Sequence, residues 1–126
     1  MKKRKKKTEV QKQEDKNKKL WQIRCAEEWG NDSCEVCGGI FSCFHHFIRV
    51  SRSTLLRYDV ANGVPVCVKC HWKIHFGEPI DEHNIYSQIE EGRGEYWVKY
   101  INDRRYTSIK KNIIWLKEQE DKLNNL

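Results

Sequence analysis

The sequence predicts an α+β fold, a small zinc-bound core with flanking α-helices. Two Cys-x-x-Cys pairs, Cys34/Cys37 and Cys67/Cys70, supply the four thiolates that a structural zinc site requires. Residues 40–50 and 64–67 are rich in aromatic and β-branched side chains and are predicted to be strands. Helical patterns dominate from His71 onward. A chain of 126 residues with an apolar fraction of 38% has a modest core, and small domains of this kind often rely on a bound metal.

The chain is predicted to have three segments. Residues 1–19 form a disordered polybasic arm, residues 20–80 the metal-binding core and residues 81–126 a C-terminal helical extension. The first twenty residues hold ten Lys/Arg against three Asp/Glu, whereas the rest of the chain is nearly neutral. Such an arm is expected to contact nucleic-acid phosphates, although a merely solvated tail is the alternative. The candidate DNA-binding residues in it are Lys2, Lys3, Arg4, Lys5, Lys6 and Lys7.

The elements of the core follow from local patterns. A short helix is predicted from Leu20 to Gly30, because Trp21, Cys25 and Trp29 recur at intervals of four. Gly38 and Gly39 relieve crowding in a tight metal-binding knuckle after Cys37. Asn62-Gly63 predicts a turn between the two strands.

Helices account for the remainder of the chain. The helix from His71 is expected to end at Gly77 and Pro79, with Trp72 and Phe76 packed in the core. Two more helices, residues 81–91 and 95–103, are separated by the Gly92-Arg93-Gly94 stretch. A final helix is predicted from Thr107, and its apolar stripe serves core packing or a dimer contact. That stripe consists of Ile109, Ile113, Leu116 and Leu123.

The segment CVKCHWKIH (residues 67–75) belongs to two different sites. If Cys67 and Cys70 join Cys34 and Cys37 around zinc, His71 and His75 remain available, and helical spacing lets them share a second ion. The adjacent pair His45-His46 offers a third ligand. Since neighbouring strand residues point to opposite faces, only one of the two can readily join the ion. Three ligands, an open coordination position and a free histidine are typical of a hydrolytic metal site.

These residues resemble a known nuclease family. The stretches HHF, LRYD, NGVP and CHWKIH, flanked by the two Cys-x-x-Cys knuckles, are similar to the HNH endonucleases of the ββα-metal (His-Me finger) superfamily. The spacing resembles that of DNase colicin nuclease domains, and the pattern is also similar to phage recombination nucleases of the NinG/Rap type. The resemblance covers residues 34–76. It implies a treble-clef-like ββα-metal core and a role in phage or bacterial DNA recombination or processing.

The resemblance also implies a role for each matching residue. His45, His71 and His75 would bind a catalytic divalent ion (Mg²⁺, Mn²⁺, Ni²⁺ or Zn²⁺), and His46 would be the general base that activates water. Asn62 would hold His46 through its side-chain amide. The resemblance thus implies three catalytic residues: His46, Asn62 and His45. Phosphodiester hydrolysis requires such a base and a Lewis acid. Flanking phosphates would be bound by Arg49, Arg52 and Arg57, unless these arginines are merely solvated.

The expected function is therefore metal-dependent endonuclease activity on duplex, nicked or branched DNA. A non-catalytic, zinc-stabilised DNA-binding module is the alternative, and nothing in the sequence separates DNA from RNA as substrate. Cys-x-x-Cys pairs, the lack of a secretory leader and the lack of a membrane span predict a cytoplasmic protein in a reducing compartment, with no membrane partner. A homodimer is left open.

Overall fold

A computed structural model describes residues 5–126, and it has the predicted α+β composition. Within these residues, five α-helices surround a two-stranded antiparallel sheet. In chain order the elements are α1 (Glu9–Trp29), β1 (Cys43–His46), a 3₁₀ turn (Val60–Asn62), β2 (Gly63–Val66), α2 (Val68–Phe76), α3 (Pro79–Arg93), α4 (Glu95–Arg105) and α5 (Ile113–Asn124).

Helix α1 is much longer than the sequence predicts. It begins with a capping box at Thr8 and Gln11, so residues 9–19 are helical and the predicted disorder is wrong for them. Lysine, glutamine and glutamate favour helices, and α5 provides a packing partner. The buried Asn17 donates a hydrogen bond to the Leu116 carbonyl at 2.8 Å. Residues 1–4 of the predicted arm lie outside the described residues.

The two short strands pair so that a histidine-bearing strand is bonded to the strand that leads into α2. His45 lies opposite Val64, and His46 lies opposite Gly63. Each strand has only four residues, so β1 is shorter than the predicted segment 40–50. An added Cβ at Gly63 would lie 2.5 Å from the Cys25 sulfur. The close approach of α1 to the sheet therefore requires glycine at this position.

Two apolar clusters form the core. One packs the sheet and the cysteine knuckles against α2, α3 and α4, with Leu56, Val64, Ile74 and Ile89 fully or almost fully buried. The other packs α1 and α5 on the opposite side of β1; its buried members are Trp21, Cys25, Phe44, Tyr58, Leu116 and Leu123.

Three sequence-based expectations for the helices need correction. Trp72 and Phe76 are exposed rather than buried, because α2 turns Cys70 and Ile74 inward. Pro79 opens α3 instead of only following the end of α2, since proline suits the first turn of a helix. The last helix begins at Ile113, capped by Asn112, and Ile109 precedes it.

Arg93 joins four parts of the fold at the end of α3. Its guanidinium group makes a bidentate pair with Glu35, with N–O distances of 2.7 and 2.9 Å. It also donates to the carbonyl oxygens of Ala61 and Gly63 and lies over the rings of Trp29 and Trp97, the two tryptophans that flank it. Its side chain is only 5% exposed. This arginine therefore ties α1, the first knuckle, β2 and α4 together.

We expect Arg93→Met to lower the free energy of unfolding by about 3 to 5 kcal/mol, because Glu35 and two carbonyls lose their partner. Arg52→Met, at an exposed arginine, should change it by about 0.5 kcal/mol or less. Urea unfolding of both variants measures the difference. Equal stabilities of the two variants would contradict the role given to Arg93.

Candidate functional site

The four cysteines form one cluster that can hold a structural metal such as zinc. Their four sulfur atoms all lie within 4.8 Å of one another. The Cys37 and Cys67 sulfurs are 3.6 Å apart. Zinc–sulfur bonds of about 2.3 Å in a tetrahedron separate two sulfurs by about 3.8 Å, so the spacing fits. The predicted pairing of Cys34 and Cys37 with Cys67 and Cys70 is thus consistent with the geometry.

Local backbone structure presents these sulfurs. In the first knuckle Gly38 has φ of 74°, and the Gly39 N–H donates to the Cys37 sulfur at 3.4 Å. In the second, Cys67 is the N-cap of α2, and its sulfur accepts the Cys70 N–H at 3.3 Å. That hydrogen bond is the main reason why the pKa of the Cys67 thiol is lowered to about 7. A thiol of this kind deprotonates readily to bind a metal.

Three histidines form a second, separate cluster. Ring nitrogens of His45, on β1, and of His71 and His75, on α2, lie within 4.8 Å of one another. The Nε2 atoms of His71 and His75 are 3.0 Å apart. Metal–nitrogen bonds of about 2.0–2.1 Å at a tetrahedral angle separate two nitrogens by about 3.3 Å. The three rings are therefore close enough to hold one ion, and the member of this group from β1 is His45 rather than His46.

Two side chains outside the predicted set hold these rings in place. The Tyr86 hydroxyl, on α3, lies 2.9 Å from His45 Nε2, which leaves His45 Nδ1 as the ring nitrogen without this partner. The Cys43 sulfur lies 3.5 Å from His71 Nδ1, which leaves Nε2 for the cluster. Such partners fix the tautomer and orientation of metal-binding imidazoles. Spacing gives no signal for Tyr86, but Cys43 shares a strand face with His45.

His46 is held differently. Its Nε2 donates to the Arg57 carbonyl oxygen at 2.8 Å, and its ring stacks on Trp21 with centroids 4.0 Å apart. A neutral imidazole that donates from one nitrogen accepts at the other, so Nδ1 is the basic atom. Burial is the main reason why the pKa of His46 is lowered to about 4. The ring is thus neutral at pH 7 and able to accept a proton.

Asn62 does not contact His46 through its side chain, which corrects the predicted arrangement. Its Oδ1 accepts the Ile48 N–H at 2.7 Å, and its Nδ2 donates to the Ile48 and Leu56 carbonyls. The side chain is fully buried. Asn62 therefore links Ile48 to Leu56, the residue before Arg57, and its backbone carbonyl accepts the Phe47 N–H at 2.8 Å, so it supports His46 through the backbone.

His46 and the histidine cluster open into one cleft of about 450 Å³. Lys18 and Gln22 of α1 line one wall, and Arg49 and Arg57 line others. Arg57 also pairs with Glu14 at 3.5 Å, and Arg49 pairs with Glu82 at 3.2 Å. The cleft therefore combines a candidate metal site, a neutral imidazole and three cationic side chains.

The other predicted phosphate contacts lie elsewhere. Arg52 is exposed and borders the Tyr86 side of α3 rather than this cleft. Lys5, Lys6 and Lys7 precede α1, and Lys7 pairs with Asp15. Lys2, Lys3 and Arg4 fall outside the described residues, so their role stays a prediction. Lys18 was not among the predicted residues, because its position in the cleft depends on the unexpected length of α1.

Burial also affects the metal-binding rings. It is the main cause of a lowered pKa for His45, to about 3, and for His71, with the neighbouring histidines contributing in both cases. Neutral imidazoles are the form that binds metal ions. At neutral pH these two rings therefore require no deprotonation before an ion binds.

Comparison of the chain with models of protein families, with curated proteins and with solved structures finds no match. Among the described residues, no helix combines the length and the apolar character needed to cross a bilayer.

We expect Cys70→Ser to release zinc and to unfold the core, because structural zinc contributes roughly 10 kcal/mol or more to folding. Cys25→Ala is the matched control, since Cys25 is buried but lies outside the cluster. That variant should keep its zinc. Elemental analysis and thermal circular dichroism measure both properties. A Cys70→Ser protein with an intact, thermally stable fold and no zinc would contradict the assignment.

We also expect stability to fall as the pH drops below about 6.5. Above that value His45 and His46 are neutral in both the folded and the unfolded state. Below it the unfolded chain binds protons, whereas burial keeps the folded rings neutral because it lowers their pKa values to about 3 for His45 and about 4 for His46. Each histidine contributes up to about 1.4 kcal/mol per pH unit to the slope of the free energy of unfolding against pH. His46→Gln should therefore reduce the slope by about one such share between about pH 6 and pH 5. Urea unfolding in zinc-containing buffer measures it, and identical slopes for both proteins would overturn the expectation.

Proposed function

We propose that the protein is a metal-dependent endonuclease that hydrolyses DNA phosphodiester bonds, with the ββα-metal core of HNH enzymes. The observation that carries this proposal is the placement of neutral His46 beside the His45–His71–His75 cluster in one cationic cleft. The chain order of β1, β2 and α2, with histidines on the first strand and on the helix, supports the same reading. The cysteine cluster would hold the structural zinc.

In this mechanism His46 is the general base. Its Nδ1 accepts a proton from water as the water oxygen forms a bond to phosphorus and the ester P–O bond breaks. The Arg57 carbonyl, already bonded to Nε2–H, then stabilises the positive imidazolium ring. The departing oxygen takes up a proton from solvent and His46 then releases its proton to solvent, so protons balance over the cycle. Trp21 keeps the ring plane fixed while its charge changes.

The remaining side chains of the cleft bind and orient the substrate. His45, His71 and His75 would hold a divalent ion, which when bound supplies Lewis-acid charge at the scissile phosphate. Lys18 and Arg57 are placed to bind flanking phosphates across the cleft. Because Glu14 pairs with Arg57 and also with Lys111, a substrate phosphate competes with this carboxylate for the arginine.

We expect His46→Ala to lower the rate of plasmid cleavage by about 10² to 10⁴, because a general base is lost and no metal ligand is removed. His46→Gln, which keeps a planar side chain against Trp21, should show the same loss. His75→Ala should instead weaken binding of the ion, and excess metal should restore part of the rate. The control is His83→Ala, since His83 is exposed and lies outside the cleft.

Supercoiled plasmid nicking with several divalent ions, together with zinc content and DNA affinity, measures these effects. If both His46 variants cleave at the wild-type rate, the nuclease mechanism fails. A wild-type protein that binds DNA but cleaves neither DNA nor RNA with any ion is a zinc-stabilised binding module instead. Cleavage of RNA alone would change the substrate and keep the mechanism.

A further inference from the structure

The outward face of α2 carries an apolar stripe. Val68, Trp72 and Phe76 recur at intervals of four, and their exposed fractions are 72%, 58% and 73%. Residues with this spacing lie along one side of a helix. The rings of Trp72 and Phe76 are neighbours, with centroids 6.1 Å apart. Contiguous exposed apolar patches on a protein surface can mark interaction sites, whereas single exposed apolar residues are ordinary.

This stripe borders the histidine cluster directly. Trp72 follows His71 in the chain, and Phe76 follows His75, whose ring centroid lies 6.2 Å from that of Phe76. A phosphate bound at the cluster would therefore bring its attached nucleoside within reach of the two aromatic rings. The stripe is continuous with the cleft rather than a remote patch.

The charges around the stripe indicate what kind of partner fits. Lys69 and Lys73 lie along its other side, and neither is in an ion pair within residues 5–126. Glu78 and Asp81 lie beyond its C-terminal end, close to the exposed Ile80. The phosphate-attracting part therefore ends at Phe76. A symmetric contact between two copies would place these lysines near their own equivalents, which disfavours self-association through this face.

We propose that Trp72 and Phe76 form a stacking platform for unpaired nucleobases next to the phosphate held at the histidine cluster. This inference rests on the proposed function and names its substrate: a nucleic acid whose bases are unpaired beside the scissile phosphate. Bases within an intact duplex hide their faces, whereas unpaired bases offer a π-face to an aromatic side chain whatever their sequence. Lys69 and Lys73 bind the adjoining phosphates.

The test compares ligands that differ only in their bases. Zinc-loaded, full-length His46→Gln protein, chosen so that the ligand stays intact, is titrated with a fluorescent oligothymidylate of about 12 nucleotides. An abasic oligomer of equal length and a duplex of equal length are titrated in parallel. In this His46→Gln background, a further Trp72→Ala or Phe76→Ala substitution should weaken oligothymidylate binding by about 5- to 140-fold, because each stacked base contributes about 1–3 kcal/mol. Binding of the abasic oligomer should stay unchanged.

Tyr96→Ala is the matched control, because Tyr96 is also an exposed aromatic residue but lies on α4, away from the stripe. This substitution should change neither the affinity for oligothymidylate nor the affinity for the abasic oligomer. The platform is overturned if Trp72→Ala and Phe76→Ala weaken both single strands equally, if they weaken neither, or if no oligomer binds. It is also overturned if sedimentation shows a dimer that Trp72→Ala dissociates. If binding depends on the bases but the wild-type protein never cleaves DNA, the proposed nuclease function is refuted and the stacking platform stands. If the wild-type protein cleaves DNA but binding does not depend on the bases, the platform is refuted and the nuclease function stands.

Discussion

Helix α2 starts inside the cysteine cluster, and both candidate metal centres depend on this start. Cys67 is at once a member of that cluster and the residue whose sulfur caps the helix. His71 and His75 follow within the next two turns, so their direction is set by the same cap. Pairing of β1 with β2 then brings His45 to them. The two clusters share no side chain, but the helix that carries His71 and His75 begins at a cysteine of the first cluster.

The segments outside residues 34–76 complete the cleft. From α3, Tyr86 orients His45, and from α1, Trp21 supports the ring of His46. Arg93, at the end of α3, ties these outer elements to β2 and to the first knuckle. Because each imidazole is oriented by a different neighbour, a metal-binding role and a proton-accepting role can coexist on adjacent residues of one short strand.

Local spacing explains which features could be predicted. The cysteine and histidine clusters follow from intervals of three and four along the chain, and the structure brings both sets together. The hydrogen bonds of Asn62, the contact from Tyr86 and the exposure of Trp72 depend on long-range packing, so no pattern in the sequence announces them. The length of α1 escaped prediction for the same reason, because its polar face is stabilised by a distant helix.

The packing of α1 on α5 has a consequence for how the chain folds during synthesis. Asn17 and its partner Leu116 are 99 residues apart, and the same separation divides Arg24 from Leu123. At roughly 5 to 20 residues per second, α1 waits about 5 to 20 s on the ribosome before its partner emerges. During that interval the side of α1 that packs on α5 is open to other contacts. The contact between α1 and α5 therefore forms only after the segments that contain both candidate metal clusters have been synthesised.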